Sequence, residues 1–491
     1  MNILFVTSEA YPLIKTGGLA DVSGALPRSL ASLGQQVRVV LPMYADLALS
    51  EEPPVVATLE VSGQQVRLRE TRLGDSDVPV WLVDHPMFSA RHGNPYMGPD
   101  GNPWHDNPER FALFCRVAAR LAIDDAGLAW TADIVHCNDW QSGLVPVLLS
   151  SQDRPSCIMT LHNLAYQGVF DRATFERLGL PWSLWHADAL EYWGNMSMLK
   201  GGIVFSRFIT AVSPTYAREI QTPTFGYGLD GLLQARASDV IGILNGIDER
   251  AWNPATDPHL VQGYDVDSLD GKRDNKAALQ AELGLPVDDE VMLVGHIGRL
   301  VDQKGIDLLL GAIPRLMHLP LQFAILGSGE SRHEHALRGL AARYPDKIGV
   351  FIGYDEALAH RIEAGSDWFV MPSRFEPCGL NQLYSLRYGT PPIVHKTGGL
   401  ADTVVHADAD TIREGRATGL VMEHLDRHAI EWAIGTALQY YHVSETYRGI
   451  QQAAMSRRFD WENSARQYIE LYERSLSPEP PERDEPEQAD H

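Results

Sequence analysis

The chain has 491 residues, 44% of them hydrophobic, enough for two to four domains at roughly 100–200 residues each. With 64 acidic against 41 basic side chains its formal net charge is −23, a surface that repels a phosphate backbone and argues against nucleic-acid binding. Four cysteines with no CxxC pair indicate neither a zinc site, a redox dithiol nor a disulfide framework, a usage that fits the cytosol.

Asn2–Glu9, NILFVTSE, opens the chain as a buried strand; it lacks the basic flank and the cleavage pattern of a signal peptide. KTGGLAD, Lys15–Asp21, follows and leads into a helix, DVSGALPRSLASLG. QQVRVVLP, VPVWLVDH, ADIVHCN and SCIMTLHN read as further strands, and NPERFALFCRVAARLAIDDAG as a helix. Gly201–Ile220 reads as a helix–strand–helix passage. A second alternating series begins with Ile241–Asp248, IGILNGID, and continues through EVMLVGHIGRL, QFAILGSGE, IGVFIGY, SDWFVMPS and PPIVHK. GIDLLLGAIPRLMHL and ESRHEHALRGLAARY are helical between those strands. Alternation of this kind predicts mainly parallel sheets, hence two doubly wound α/β domains in tandem, 1–240 and 241–458. A last helix, 459–476, is free to pack on either domain. The Pro-rich acidic tail 477–491 has too few apolar residues to fold. No run of 18 apolar residues occurs, so no membrane span is expected.

Ligands of doubly wound sheets sit beyond the carboxyl ends of the strands, and polar residues gather at those ends here. Gly17 and Gly18 allow backbone amides close approach to a ligand at a helix start, with Lys15 adding a charge; tight strand–helix packing is the alternative. The same heptapeptide returns as Lys396–Asp402. Arg299 and Lys304 in GRLVDQKG place two cations after a strand, suited to a diphosphate or simply solvated. In SRFEPCGL, Glu376 precedes a helix start where the amides of Cys378, Gly379 and Leu380 can meet hydroxyl or phosphate oxygens; a capping role for Glu376 is the alternative. His162 and Asn163, Asp139 with Trp140, Asn245 and Tyr354 close other strands. DxD triplets at 75–77, 265–267 and 408–410 are expected by chance among 64 acidic residues, and HExxH, GxSxG and Walker patterns are absent.

KTGGLADV, LHNLAYQG, ILNGID, GRLVDQKG, SRFEPCGL and TGGLADTV stand in the order in which the bacterial glycogen synthases and plant starch synthases carry them, and the chain resembles that family from Met1 to about Leu476. The resemblance implies a GT-B fold, two facing Rossmann-like domains with an active-site cleft between them. It implies retaining transfer of glucose from ADP-glucose to the non-reducing end of an α-1,4-glucan in the cytoplasm, with no metal and no other cofactor. Carried over by position, Lys15 and Gly18 grip the distal phosphate and sugar, and Arg299 and Lys304 the diphosphate. His162 faces the glucose, Glu376 with the Cys378–Leu380 amides holds its hydroxyls, and Tyr354 stacks on adenine. Asp21, Tyr96, Asp139 and Asn245 line the site, beside Gly17 and Asn163. The second KTGGLAD resembles a corresponding turn in the other domain. Asn138 and Gln141 depart from the histidines common in the family, and Tyr384 stands where sucrose- and trehalose-type relatives carry a second Glu. A UDP-glucose donor and a glucan-binding protein without turnover are the competing readings.

Overall fold

The computed structural model describes residues 1–151 and 155–477, which form two compact units. The first comprises residues 1–151, 155–210, 236–241 and 462–477; the second comprises Ala211–Ala235 and Gly242–Trp461.

Among the described residues, twelve strands fall in the first half of the chain: β1 (Asn2–Val6), β2 (Gln36–Pro42), β3 (Val55–Val61), β4 (Gln64–Arg72), β5 (Pro79–Asp84), β6 (Ile134–Asn138), β7 (Ser156–Leu161), β8 (Val169–Phe170), β9 (Glu191–Tyr192), β10 (Asn195–Ser197), β11 (Phe208–Ala211) and β12 (Val240–Gly242). Nine of them form one sheet in the order β12-β11-β7-β6-β1-β2-β5-β4-β3, and β8-β10-β9 form a small separate sheet. β1 runs parallel to both neighbours, β2 and β6, with Ile3–Val6 fully buried, so the loop after it opens at the middle of the sheet's carboxyl edge. The β3–β4 hairpin adds an antiparallel edge that the sequence reading omits. Its signal is present in the sequence: a two-residue Ser62-Gly63 turn, both at positive φ, between strand-like runs.

The second unit carries β13 (Met292–Ile297), β14 (Leu321–Gly327), β15 (Ile348–Ile352), β16 (Trp368–Met371), β17 (Pro392–His395) and β18 (Leu420–Met422), ordered β15-β14-β13-β16-β17-β18 and parallel throughout. Alternate residues serve opposite faces: Phe323 and Ile325 join the core under helices Ile306–Leu316 and Arg427–Tyr441, while Ala324 and Leu326 join the core under Glu356–Gly365. Both faces are covered, which is why these strands are apolar runs rather than alternating ones.

Two boundaries differ from the sequence reading. Of IGILNGID only Ile241 and Gly242 are strand, the end of β12 (Val240–Gly242), which closes the edge of the first sheet. Ala211–Ala235, read with the N-terminal domain, groups with the second unit because its polar groups are spent there: Ser213 Oγ donates to Pro377 O at 2.6 Å, and Thr215 N and Oγ1 donate to the Asp402 carboxylate at 2.7 Å. The last helix, Trp461–Leu476, hydrogen-bonds the first unit's core through Tyr472 OH and His136 Nδ1 at 2.7 Å, with the Tyr468 ring against the same imidazole. The acidic tail beyond Ser477 lies outside the described residues. No helix among the described residues is long and apolar enough to cross a membrane.

Candidate active site

At the carboxyl edge of the first sheet, the loop after β1 is organised by a residue the sequence reading passed over. Glu9 is 3% exposed, and its carboxylate accepts hydrogen bonds from Thr16 N (2.5 Å), Thr16 Oγ1 (2.6 Å), Gly17 N (3.2 Å) and Tyr96 OH (2.6 Å). Ser8 Oγ bonds the same phenol at 2.8 Å. Burial and the adjacent Glu9 push the Tyr96 phenol well above its usual range, so it stays a proton donor to Glu9. Glu9 thus folds the KTGGLAD turn onto the sheet edge and presents helix Gly18–Ser32. Lys15 Nζ pairs with Asp21 Oδ1 at 2.8 Å, joining two residues expected to share the site. A Cβ on Gly17 would meet nothing within 4 Å, so this turn faces open space.

A second cluster sits where β6 and β7 end. Asp139, at φ +54, turns its carboxylate back to accept from the amides of His162 (2.8 Å) and Asn163. Burial raises its carboxyl to about 7, and those amides and nearby Glu9 shift it less. His162 Nε2 lies 2.9 Å from Asn138 Oδ1, while Asn138 Nδ2 donates to Val6 O at 3.0 Å, so the amide oxygen faces the imidazole and takes the Nε2–H. The departure at Asn138 therefore sets the tautomer of His162. Burial lowers the His162 imidazole to about 3. Its unfolded counterpart takes a proton near 6.5, so what this group contributes to stability is present above that pH and is lost as pH falls toward 3. The ring is a neutral hydrogen-bonding group at working pH. Imidazole resonances of His162 are expected not to titrate between pH 8 and pH 5; a midpoint near 6.5 would contradict this placement.

In the second unit, the residues expected to bind a donor gather at the ends of β13, β15 and β16. Lys304 Nζ lies 2.5 Å from Glu376 Oε2, and Ser373 Oγ donates to the same oxygen at 3.0 Å. Gly305, at φ +67, follows Lys304; a Cβ there would lie 1.8 Å from Pro372 O, so only glycine lets the GRLVDQKG loop cross the β16 end this closely. Glu376 is 6% exposed, the Lys304 ammonium being its cation. Arg299 is exposed, its Nη2 on Gln303 Oε1 at 3.1 Å. The Asn245 amide reaches the Cys378 sulfur, and burial pushes that thiol up to about 12, so Cys378 is an inert wall rather than a nucleophile. Asn245 Oδ1 is buried and meets no donor among the described residues. Gly379 takes φ +73 and turns the chain into helix Asn381–Arg387 behind Leu380. Tyr354 follows β15, the residue 73% exposed and its hydroxyl on Glu356 Oε2, the placement of a stacking platform.

The two heptapeptides prove to be the same device. Each Thr-Gly pair grips a carboxylate: Thr16 and Gly17 hold Glu9, while Thr397 Oγ1 and Gly398 N hold Glu219 Oε1 at 2.9 and 3.0 Å. What they face differs. Gly398 and Gly399 lie against the donor loop, where Cβ atoms would come within 1.9 Å of Glu376 O and 2.0 Å of Cys378 O. Gly399 N donates to Glu376 O and Pro377 O, both at 3.1 Å. The second copy packs against the backbone that carries Glu376. Among the described residues no group of three or more His, Cys, Asp or Glu gathers as metal ligands.

Residues 2–235 match the family model described as the starch synthase catalytic domain, and residues 275–456 the model of glycosyl transferases group 1. The glycogen synthase 1 of Methylococcus capsulatus is 52% identical over 97% of each chain. That of Cellvibrio japonicus is 52% identical over 96% of this chain and 98% of its own. Among solved structures, the catalytic domain of starch synthase IV from Arabidopsis thaliana, bound to ADP and acarbose, superposes with a TM-score of 0.87 at 35% identity, covering 97% of this chain and 99% of that one. The sucrose-phosphate synthase of Thermosynechococcus elongatus, 19% identical with a TM-score of 0.60 over 96% of this chain and 98% of its own, shares the fold. With its two Rossmann-like units in the GT-B fold and relatives matched over nearly its whole length, the chain belongs to the glycogen and starch synthase family of glycosyltransferases.

Proposed function

We propose that the chain transfers glucose from ADP-glucose to the non-reducing end of an α-1,4-glucan with retention of configuration, in the cytosol. The observation that carries this reading is the Lys304–Glu376–Ser373 constellation at the carboxyl end of a parallel sheet, with Arg299 and Tyr354 at neighbouring strand ends. Its parts suit the parts of a nucleotide sugar: cations for the diphosphate, a buried carboxylate and outward amides for glucose hydroxyls, an exposed ring for the base. The ADP and acarbose held by the starch synthase IV structure support the same two substrate classes here. Four buried free thiols suit a reducing compartment.

In this reading the bond between glucose C1 and the diphosphate oxygen breaks while C1 bonds to the acceptor's 4-hydroxyl oxygen on the same face. The leaving phosphate oxygen takes the hydroxyl proton. Arg299 and Lys304 carry the charge that develops on ADP, in the part a metal plays elsewhere. Turnover is therefore expected to persist in excess EDTA, and loss restored by Mg²⁺ would assign that charge to a metal. A trapped glucosyl-enzyme adduct would replace the same-face route with a covalent one.

The deciding experiment is nucleotide release by the purified protein with glycogen, run with ADP-glucose, with UDP-glucose and without acceptor. Glycogen-dependent ADP release with little UDP release is the expected result. Equal or greater UDP release moves the donor, and glycogen binding without release from either donor overturns the reading.

A further inference from the structure

The strap that leaves β12 touches the donor loop once and the helix behind it once. Asn245 reaches Cys378 from its amide, and seven residues later Trp252 enters a stack that belongs to the helix carrying that loop. The Trp252 ring lies 3.7 Å from the Tyr384 ring at 11° and 3.7 Å from the His360 ring at 10°, sandwiched between the two. Tyr384 is on helix Asn381–Arg387 and His360 on helix Glu356–Gly365, so one indole couples two helices. The strap is pinned beyond the ring. Asn253 Oδ1 accepts from Arg387 Nη2 at 3.1 Å. The buried Asp257 carboxylate accepts from Tyr388 OH at 2.5 Å and meets His360 Nδ1 at 2.7 Å.

The stack continues to the site. Tyr384 N donates to Leu380 O at 3.0 Å, and Leu380 packs with Trp252 on the cluster formed by Ile247, Leu383 and Tyr384. Leu380 ends the loop that begins at Glu376. Arg299 follows β13, away from both helices of the stack, whereas Tyr354 directly precedes the helix that carries His360.

We propose that Trp252 is a positioning residue for glucosyl transfer, its sandwich with Tyr384 and His360 setting the start of helix Asn381–Arg387 and thereby the Glu376–Leu380 loop against the donor's sugar. The inference rests on the proposed function for its substrate, not for its geometry. Removing the indole lets Leu380 and Tyr384 settle into the vacated space, which moves the sugar-holding loop more than Arg299, which follows β13. Misplacement by about 1 Å can cost a hundredfold in rate.

The test compares Trp252→Ala, Trp252→Phe and Tyr384→Leu in the full chain. It measures kcat with ADP-glucose and glycogen, inhibition by ADP, and amide exchange at Cys378–Asn381. Trp252→Ala and Tyr384→Leu are expected to lower kcat by about tenfold to a hundredfold and to speed exchange at those amides, with ADP inhibition within about twofold. Trp252→Phe, which keeps a stacking ring, is expected to restore most of the rate. The inference is overturned if kcat is unchanged, or if ADP binding weakens in step with kcat, as general loosening of the unit would produce. Should Trp252→Ala not fold, Tyr384→Leu and Trp252→Phe decide alone. Turnover of the unmodified chain tests the proposed function; exchange at Cys378–Asn381 tests Trp252 whether or not glucose is transferred.

Discussion

Replacing Lys304 with alanine is expected to lower kcat by about a hundredfold to a thousandfold, the effect of removing one preorganised group that stabilises developing charge. KM for the donor should change much less, because the leaving diphosphate gains its charge in the transition state. The substitution also leaves Glu376, 6% exposed, without its cation, and a carboxylate so placed is costly to leave unpaired. Because Lys304 keeps a fifth of its side-chain surface in water, that loss is put at about 1–3 kcal/mol, below that of a fully buried pair. Arg299→Ala separates the two effects. Arg299 is exposed and held by Gln303, so its loss should lower kcat with the melting temperature unchanged. Steady-state kinetics beside thermal melts check both, and kcat within threefold of the parent in Lys304→Ala would remove Lys304 from the proposed chemistry.

The paired heptapeptides give the second large expectation, since one substitution at equivalent positions should have opposite consequences. Gly398→Ala places a Cβ 1.9 Å from Glu376 O at a backbone φ of +43. Left-handed strain and a main-chain clash together make a loss of about 3 kcal/mol or more, and they displace the loop that carries Glu376. Gly17→Ala meets open space at φ −158 and should change stability by less than about 1 kcal/mol. If the first turn takes the donor's phosphate, that same small methyl obstructs the approach of the ligand and lowers activity with the fold intact. Denaturant melts with kinetics on the two variants read this directly. Equal destabilisation by both would mean that the two turns do the same structural job.

The alternation of apolar runs with amphipathic ones was enough to read two doubly wound units, because strands covered on both faces must be apolar at every position, as Phe323–Leu326 are. Strand ends were legible for the same reason: where the run stops, the next polar residues are set at the sheet's carboxyl edge, and Arg299, Glu376, Asp139 and His162 are found there. Glu9 was missed because a lone glutamate after a strand looks like any surface acid; only the return of Thr16, Gly17 and Tyr96 onto it makes it the organiser of the turn. The hydrogen bonds of the stretch 211–235 to Pro377 and Asp402, more than 160 residues away, are not legible in its own pattern.

By itself, the sequence determined the fold class, the order of the motifs and the residue types available to the chemistry, since periodicity and local turn signals are properties of neighbours in the chain. The tertiary structure alone decided which carboxylate each turn holds, that Lys304 and Glu376 are partners, that His162 is kept neutral beside Asn138, and that two identical heptapeptides meet open space in one case and the Glu376 backbone in the other. Those outcomes depend on distances between segments far apart in the chain, and on the burial that turns such proximity into strong hydrogen bonds and shifted proton affinities.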